Sequence, residues 1–332
     1  MQKTRIKYID MLKALAIILV ILGHMSYTPS KVKLLLYIFH MPLFFFLSGL
    51  VFSVEKYNTF WSFFKRKAKT IVILFFLLNI SVFAVKSILL QPNLILKIDI
   101  VYFIKSLVLA DRMHIYYQLW FLNALFVSEI ISYLIVKYCK VWYQWLMVVV
   151  GLFLSIYVGK IAYANEYWLI WSIDLAPYAV LFILLGYYVK NNMRIFNNVL
   201  KKRYFLIAVL ISIALGVVNK RVDLYYQETN NIILYFVAAV FGIWACLIFF
   251  KNIPEINFIE KIGQNTLIYY AYHSPIVLYI LDIIFEQLAG RYTGIFINNY
   301  VIMMFEIICA VGICELIALI INRTFPVLVG RR

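Results

Sequence analysis

The chain has 332 residues, 65% of them hydrophobic and only 14% charged, with a mean hydropathy of +0.91. No water-soluble fold of that length covers so much apolar surface, so lipid must be its main solvent. The formal net charge of +16 raises nucleic acid as a partner. In a membrane protein, however, such an excess belongs to cytoplasmic loops facing anionic lipid, so the expected partner is membrane lipid and not nucleic acid.

In chain order, apolar stretches long enough to span a bilayer are predicted near 9–28, 34–53, 70–90, 119–137, 141–159, 174–189, 204–219, 231–250, 266–285 and 299–321. The first carries Asp10 and Lys13, lacks a small-residue cleavage site and is closely followed by the second. It is therefore expected to persist as a span and not to be removed as a signal peptide. The segment 91–118 mixes apolar residues with scattered charges, which suits an interfacial or re-entrant helix. Its His114 sits in a loop and needs no special explanation. With about ten spans and a cytoplasmic N-terminus, inside segments hold roughly twice as many Lys and Arg as outside ones. The expectation is thus an all-α, polytopic integral membrane protein with both termini cytoplasmic. Residues 1–332 are read as one membrane-embedded domain without a soluble appendage. Cys139, Cys246, Cys309 and Cys314 lie in or beside apolar segments without ligand spacing, so neither disulfides nor a metal site is expected.

Ionisable residues inside spans are costly in lipid and point to function. The first span holds three, in "YIDMLKALAIILVILGH". At about 100° per residue, Asp10, Lys13 and His24 share one helix face. Asp10 and Lys13 alone also fit an ion pair at the inner interface. His24, near the outer end, has no such reason to be there. In the second span, "YIFHMPLFFFLSGL" carries His40, which falls at a similar depth to His24, and two level imidazoles make a plausible acid–base pair. Pro42 frees a backbone carbonyl one turn back and can open space beside His40. "FFKRKAKT" (63–70) gathers four cations before the third span, either as plain inside-positive topology or as a phosphate-binding patch that Lys13 extends. Glu129, downstream of Trp120 and Asn123, and Glu306, Glu315 and His273 each read as structural hydrogen-bonding groups when taken alone.

Five stretches together resemble the acyltransferase-3 family of bacterial integral-membrane O-acyltransferases. They are "RIKYIDMLKALAIILVILGH" (5–24), "FHMPLFFFLSG" (39–49), "RKAK" (66–69), "LWFLNALF" (119–126) and "IGQNTLIYYAYHSPI" (262–276). The FHMP form is most similar to fucose O-acetylases and capsule acetyltransferases. The resemblance implies a bacterial cell-membrane enzyme that takes acyl-CoA, acetyl-CoA first, as co-substrate and a carbohydrate or lipid-linked glycan as acceptor. It maps the family's essential histidine to His24 and its basic residue eleven positions earlier to Lys13. Its Arg-x-x-Arg becomes Arg66-x-x-Lys69. Two forked guanidiniums of the family pattern are thereby point charges here, which keeps attraction for phosphate but loses bidentate geometry. Without an appended esterase-like domain, direct transfer to the acceptor is the simpler expectation.

On this reading Lys13, Arg66 and Lys69 hold the CoA phosphates and His24 is the general base on a sugar hydroxyl. His40 handles sugar or proton, and an acyl-histidine intermediate is an open alternative. Asp10 belongs with Lys13. Trp120, Asn123 and His273 are supporting candidates, the first two as oxyanion donors. The competing class is an exporter or flippase of a lipid-linked saccharide, since ten spans around an aqueous cavity also explain buried His and Glu.

Overall fold

The computed structural model describes residues 6–91, 99–110, 112, 119–164, 169–291 and 299–330. His114 lies outside the described residues. The described secondary structure is helical, apart from an isolated antiparallel bridge between Asp223 and Glu228. In order the helices are α1 (Lys7–His24), α2 (Ser30–Tyr37), α3 (His40–Val51), α4 (Phe60–Lys67), α5 (Ile73–Val85), α6 (Ile100–Leu109), α7 (Trp120–Tyr138) and α8 (Val141–Ala164). They continue as α9 (Ala176–Asn191), α10 (Met193–Val199), α11 (Phe205–Asn219), α12 (Ile232–Asn252), α13 (Asn257–Gln264), α14 (Thr266–Tyr272), α15 (Tyr279–Arg291) and α16 (Asn299–Thr324).

Among the described residues nine helical stretches are long and apolar enough to cross a membrane, from Ser30–Val51 to Asn299–Thr324. They correspond to the second through tenth expected spans. The first expected span is α1, an 18-residue helix whose charge comes from Lys7, Asp10 and Lys13. Two boundaries differ from the sequence reading. Helix α1 ends at His24 and not near 28, because Met25 turns extended (φ −66°, ψ 139°) and Pro29 disfavours helix at the residue before it. The third span begins at Phe60 and not at 70, since Thr59 caps α4 by accepting from the Ser62 N–H at 3.2 Å. A hydropathy window misses that start because the cations of 65–69 ride on the helix itself. Segment 91–118 contributes α6, a short apolar helix with Asp99 as its N-cap.

The chain divides into two compact units, residues 1–47 with 191–320, and residues 48–190 with 321–332. In the first unit α1 is packed between α13, α14 and α12. Gly263 makes this possible: a Cβ there would overlap the Asp10 carbonyl, so α13 lies directly on the α1 backbone. Lys7 pairs with Glu255 at 2.6 Å at the same end. At the opposite end of α1, His24 meets His273, ten residues after Gly263. Helix α1 and the 266–287 stretch therefore run parallel. Alternating crossings give that result only with an even number of spans from α1 to the start of α14, and α1 plus seven intervening spans make it even.

Helices α11 and α12 form a hairpin. Gly216 lies under Ile38 and Gly242 under Phe39, so the residues just before His40 sink into the hairpin where any Cβ would collide. Asn219 fixes the turn, donating to the Thr229 carbonyl at 3.1 Å and accepting from the Asn231 N–H at 3.0 Å. The Asn231 side chain then caps α12 through the Ile233 and Leu234 N–H groups.

In the second unit, Arg112 and Asp174 form a wholly buried ion pair at 2.5 Å. Asp174 sits in a 3₁₀ turn, Ile170–Leu175, where Trp171 and Ser172 adopt positive φ. Gly49 lies against the Ile183 carbonyl, again with no room for a Cβ. Cations at helix ends satisfy loop carbonyls: Lys137 donates to Tyr57 and Asn58, and Lys190 donates to Phe52.

Candidate active site

Three of the four histidines are described, and all three fall in the first unit at one end of α1. His24 is the last residue of α1, solvent-accessible between buried Gly23 and Met25. Neither of its ring nitrogens has a hydrogen-bond partner among the described residues. Its ring lies 5.3 Å from that of His273, centroid to centroid, tilted by 55°. His273 is buried and opens a π-helical turn, His273–Leu278, inside an otherwise α-helical stretch. Pro275 explains the irregularity, since it lacks the N–H that the Ala271 carbonyl needs for regular α-helix. The Nδ1–H of His273 donates to the Tyr269 and Tyr270 carbonyls at 3.0 and 2.9 Å. That geometry assigns the proton to Nδ1 and leaves Nε2 as a buried acceptor, which has no partner among the described residues.

His40 sits at the break between α2 and α3, with Pro42 in the first turn of α3, where no intrahelical N–H is required. Its Nδ1–H donates to the Leu36 carbonyl at 2.8 Å. Tyr37 links the two histidine-bearing helices. Its hydroxyl donates to the Gly23 carbonyl at 3.3 Å, and its ring meets His40 edge-on at 4.9 Å. His24 lies within Coulombic reach of both His40 and His273. The expected His24–His40 pairing is thus a neighbourhood, while the direct ring contact of His24 is with His273. Read alone, His273 looked structural. The missing signal was three-dimensional: nothing in the sequence places the His273 turn against the end of α1.

At the other end of α1, Asp10 is buried and holds Lys13 at 3.3 Å, leaving the lysine partly exposed. Lys13 and His24 are eleven residues apart on one helix, about 16 Å of rise.

The cation cluster of the second unit is not uniform. Arg66 and Lys69 are exposed and, among the described residues, carry no ion pair, one helical turn apart. Lys65 stacks over Trp61. Lys67 instead turns inward to pair with buried Glu129 at 2.7 Å. Of the four cations, Lys67 is thus structural. Trp120 and Asn123 are buried in the first turn of α7, and neither amide atom of Asn123 has a hydrogen-bond partner among the described residues. These residues belong to the second unit and the histidines to the first.

A cavity of about 330 Å³ in the first unit is lined by Leu15, Ile38, Phe39, Gly242, Cys246 and other apolar groups. Its lining residues include Ser212 and Cys246 but no His, Asp, Glu, Lys or Arg. Among the described residues no group of three or more His, Cys, Asp or Glu is placed to share a metal ion.

The chain carries the sequence pattern of an acyltransferase domain, the acyltransferase-3 domain, over residues 6–323. No curated protein and no solved structure matches it significantly.

Proposed function

Because the chain belongs to the acyltransferase-3 family, we propose that this multi-pass membrane acyltransferase moves an acyl group, acetyl first, from cytoplasmic acyl-CoA to a hydroxyl of a cell-surface or lipid-linked glycan. The observation that carries the reading is the His24 ring, without a hydrogen-bond partner among the described residues, in contact with a His273 whose Nε2 is likewise unpartnered among them. One His24 N–H can donate a hydrogen bond to the His273 Nε2, which fixes the tautomer and leaves the other nitrogen as base, as a third group does in hydrolytic triads. His24 then removes the acceptor hydroxyl proton, the oxygen adds to the thioester carbonyl, and the tetrahedral adduct expels CoA thiolate. The imidazolium returns the proton to that sulfur, and no net charge is left on the protein. His40, tied to Leu36 and Tyr37, is assigned to proton or acceptor handling.

Lys13, Arg66 and Lys69 are assigned to the CoA phosphates. Each is a cation with exposed surface, and the ~16 Å rise from Lys13 to His24 is comparable to the reach of a pantetheine arm. Asp10 holds Lys13 in place. Trp120 and Asn123 remain candidates for the oxyanion, supported by the unpartnered amide of Asn123. The placement is a bacterial inner membrane with both termini cytoplasmic, supported by the Lys and Arg bias of the loops. Family membership favours transfer over export.

Purified protein in sealed vesicles, offered acetyl-CoA from outside, tests the donor assignment. Lys13→Ala and Arg66→Ala should raise KM for acetyl-CoA by about tenfold with kcat little changed. An unchanged KM in both would remove the cations from donor binding.

A further inference from the structure

Beyond the histidines, the same end of the first unit holds charges that face one another without closing. Glu306, in the second turn of α16, is 0% exposed, and neither carboxylate oxygen has a hydrogen-bond partner among the described residues. Oδ1 of Asp282 in α15 is likewise buried and unpartnered, as is the hydroxyl of Thr28 in the α1–α2 connection. Lys33, on α2, lies within Coulombic reach of Glu306, Asp282 and His24, yet none of these carboxylates approaches it within 4.0 Å among the described residues.

A purely structural pair would close, because an unpaired charge held away from water costs several kcal/mol. Buried carboxylate oxygens without partners, and an ammonium within Coulombic reach of them and of His24, are groups that a polar ligand can satisfy. A cationic ligand would be opposed by Lys33, and an anionic one by Glu306 and Asp282. A neutral polyol suits both, since its hydroxyls donate to carboxylates and its oxygens accept from the ammonium.

We propose that Glu306, with Lys33 and Asp282, forms the acceptor-recognition site, binding hydroxyl groups of a neutral sugar beside His24. The inference rests on the acyl-transfer reading and adds the residues that select the acceptor. Glu306 is a specificity-determining residue in direct contact with substrate, and Glu306→Gln keeps its size while removing the charge that strengthens the hydrogen bonds.

The test uses cells lacking their own copy of the gene, complemented with wild type, Glu306→Gln or His24→Ala. Ester-linked acetate is released from the envelope glycan by mild alkali, and thermal protection of each purified protein by CoA is measured alongside. Glu306→Gln should lower glycan acetate at least about tenfold while CoA protection matches wild type. Glycan acetate equal to wild type would overturn the proposal. Loss of CoA protection together with acetate would overturn it too, by making Glu306 a folding residue. If wild type adds no acetate over empty cells while CoA still protects it, the glycan-transfer reading fails first and takes this inference with it.

Discussion

Gly263 has no chemistry of its own, yet it sets how α1 is packed, because its missing side chain lets α13 touch the Asp10 backbone. Gly263→Ala should destabilise the protein by about 1–3 kcal/mol or more, the cost of forced overpacking, read as a lower Tm in detergent. The basic cluster makes a second residue-scale distinction. Lys67→Ala should lower Tm, since it strands buried Glu129, whereas Lys69→Ala should leave Tm unchanged and act on donor KM alone. The reverse pattern would exchange their roles. The sequence shows four equivalent cations here, because the partner of Lys67 is 62 positions away on another helix. A third case is Asp223 in the α11–α12 turn, outside the spans. Burial lifts its carboxyl above the ordinary carboxylate range, against the opposing pull of the Tyr225 N–H and Arg221. The folded chain therefore holds this proton more tightly than the unfolded chain does. Its contribution to stability is full below the ordinary range and is lost as pH rises through the lifted value. Asp223→Asn should accordingly gain Tm over wild type at pH 7 more than at pH 4.

At the scale of elements, the decisive features are interruptions. Pro42 and Pro275 each mark a place where regular helix gives way, and each stands two residues beyond a histidine that donates to a carbonyl of the preceding turn. Pro42 was legible, and so was the histidine on α1. The packing of the 257–287 region against α1 was not, because it depends on a glycine contact between segments over 250 positions apart. For the same reason His40 stood out as the partner of His24 and His273 did not. In the second unit the Arg112–Asp174 pair ties the segment after α6 to the strained turn before α9. Arg112→Ala should lower Tm, because it removes the buried ion pair that Asp174 makes with it at 2.5 Å. A Tm equal to wild type would show that the pair is not closed in the membrane.

For the whole molecule, composition alone established the solvent and the helical class, because only helices or closed barrels satisfy the backbone in lipid and the apolar runs have helical length. The two-unit division had no sequence signal: no linker separates the units, and each is assembled from two segments distant in sequence. The proposed function at this scale turns on one base, His24, at the end of α1. The most direct measurement is CoA release from acetyl-CoA by purified wild type and His24→Ala protein in vesicles supplied with glycan acceptor. His24→Ala should fall by at least about a hundredfold, the usual worth of a positioned general base, with Tm and CoA protection retained. Turnover by His24→Ala at the wild-type rate would contradict the assignment of His24 as the catalytic base.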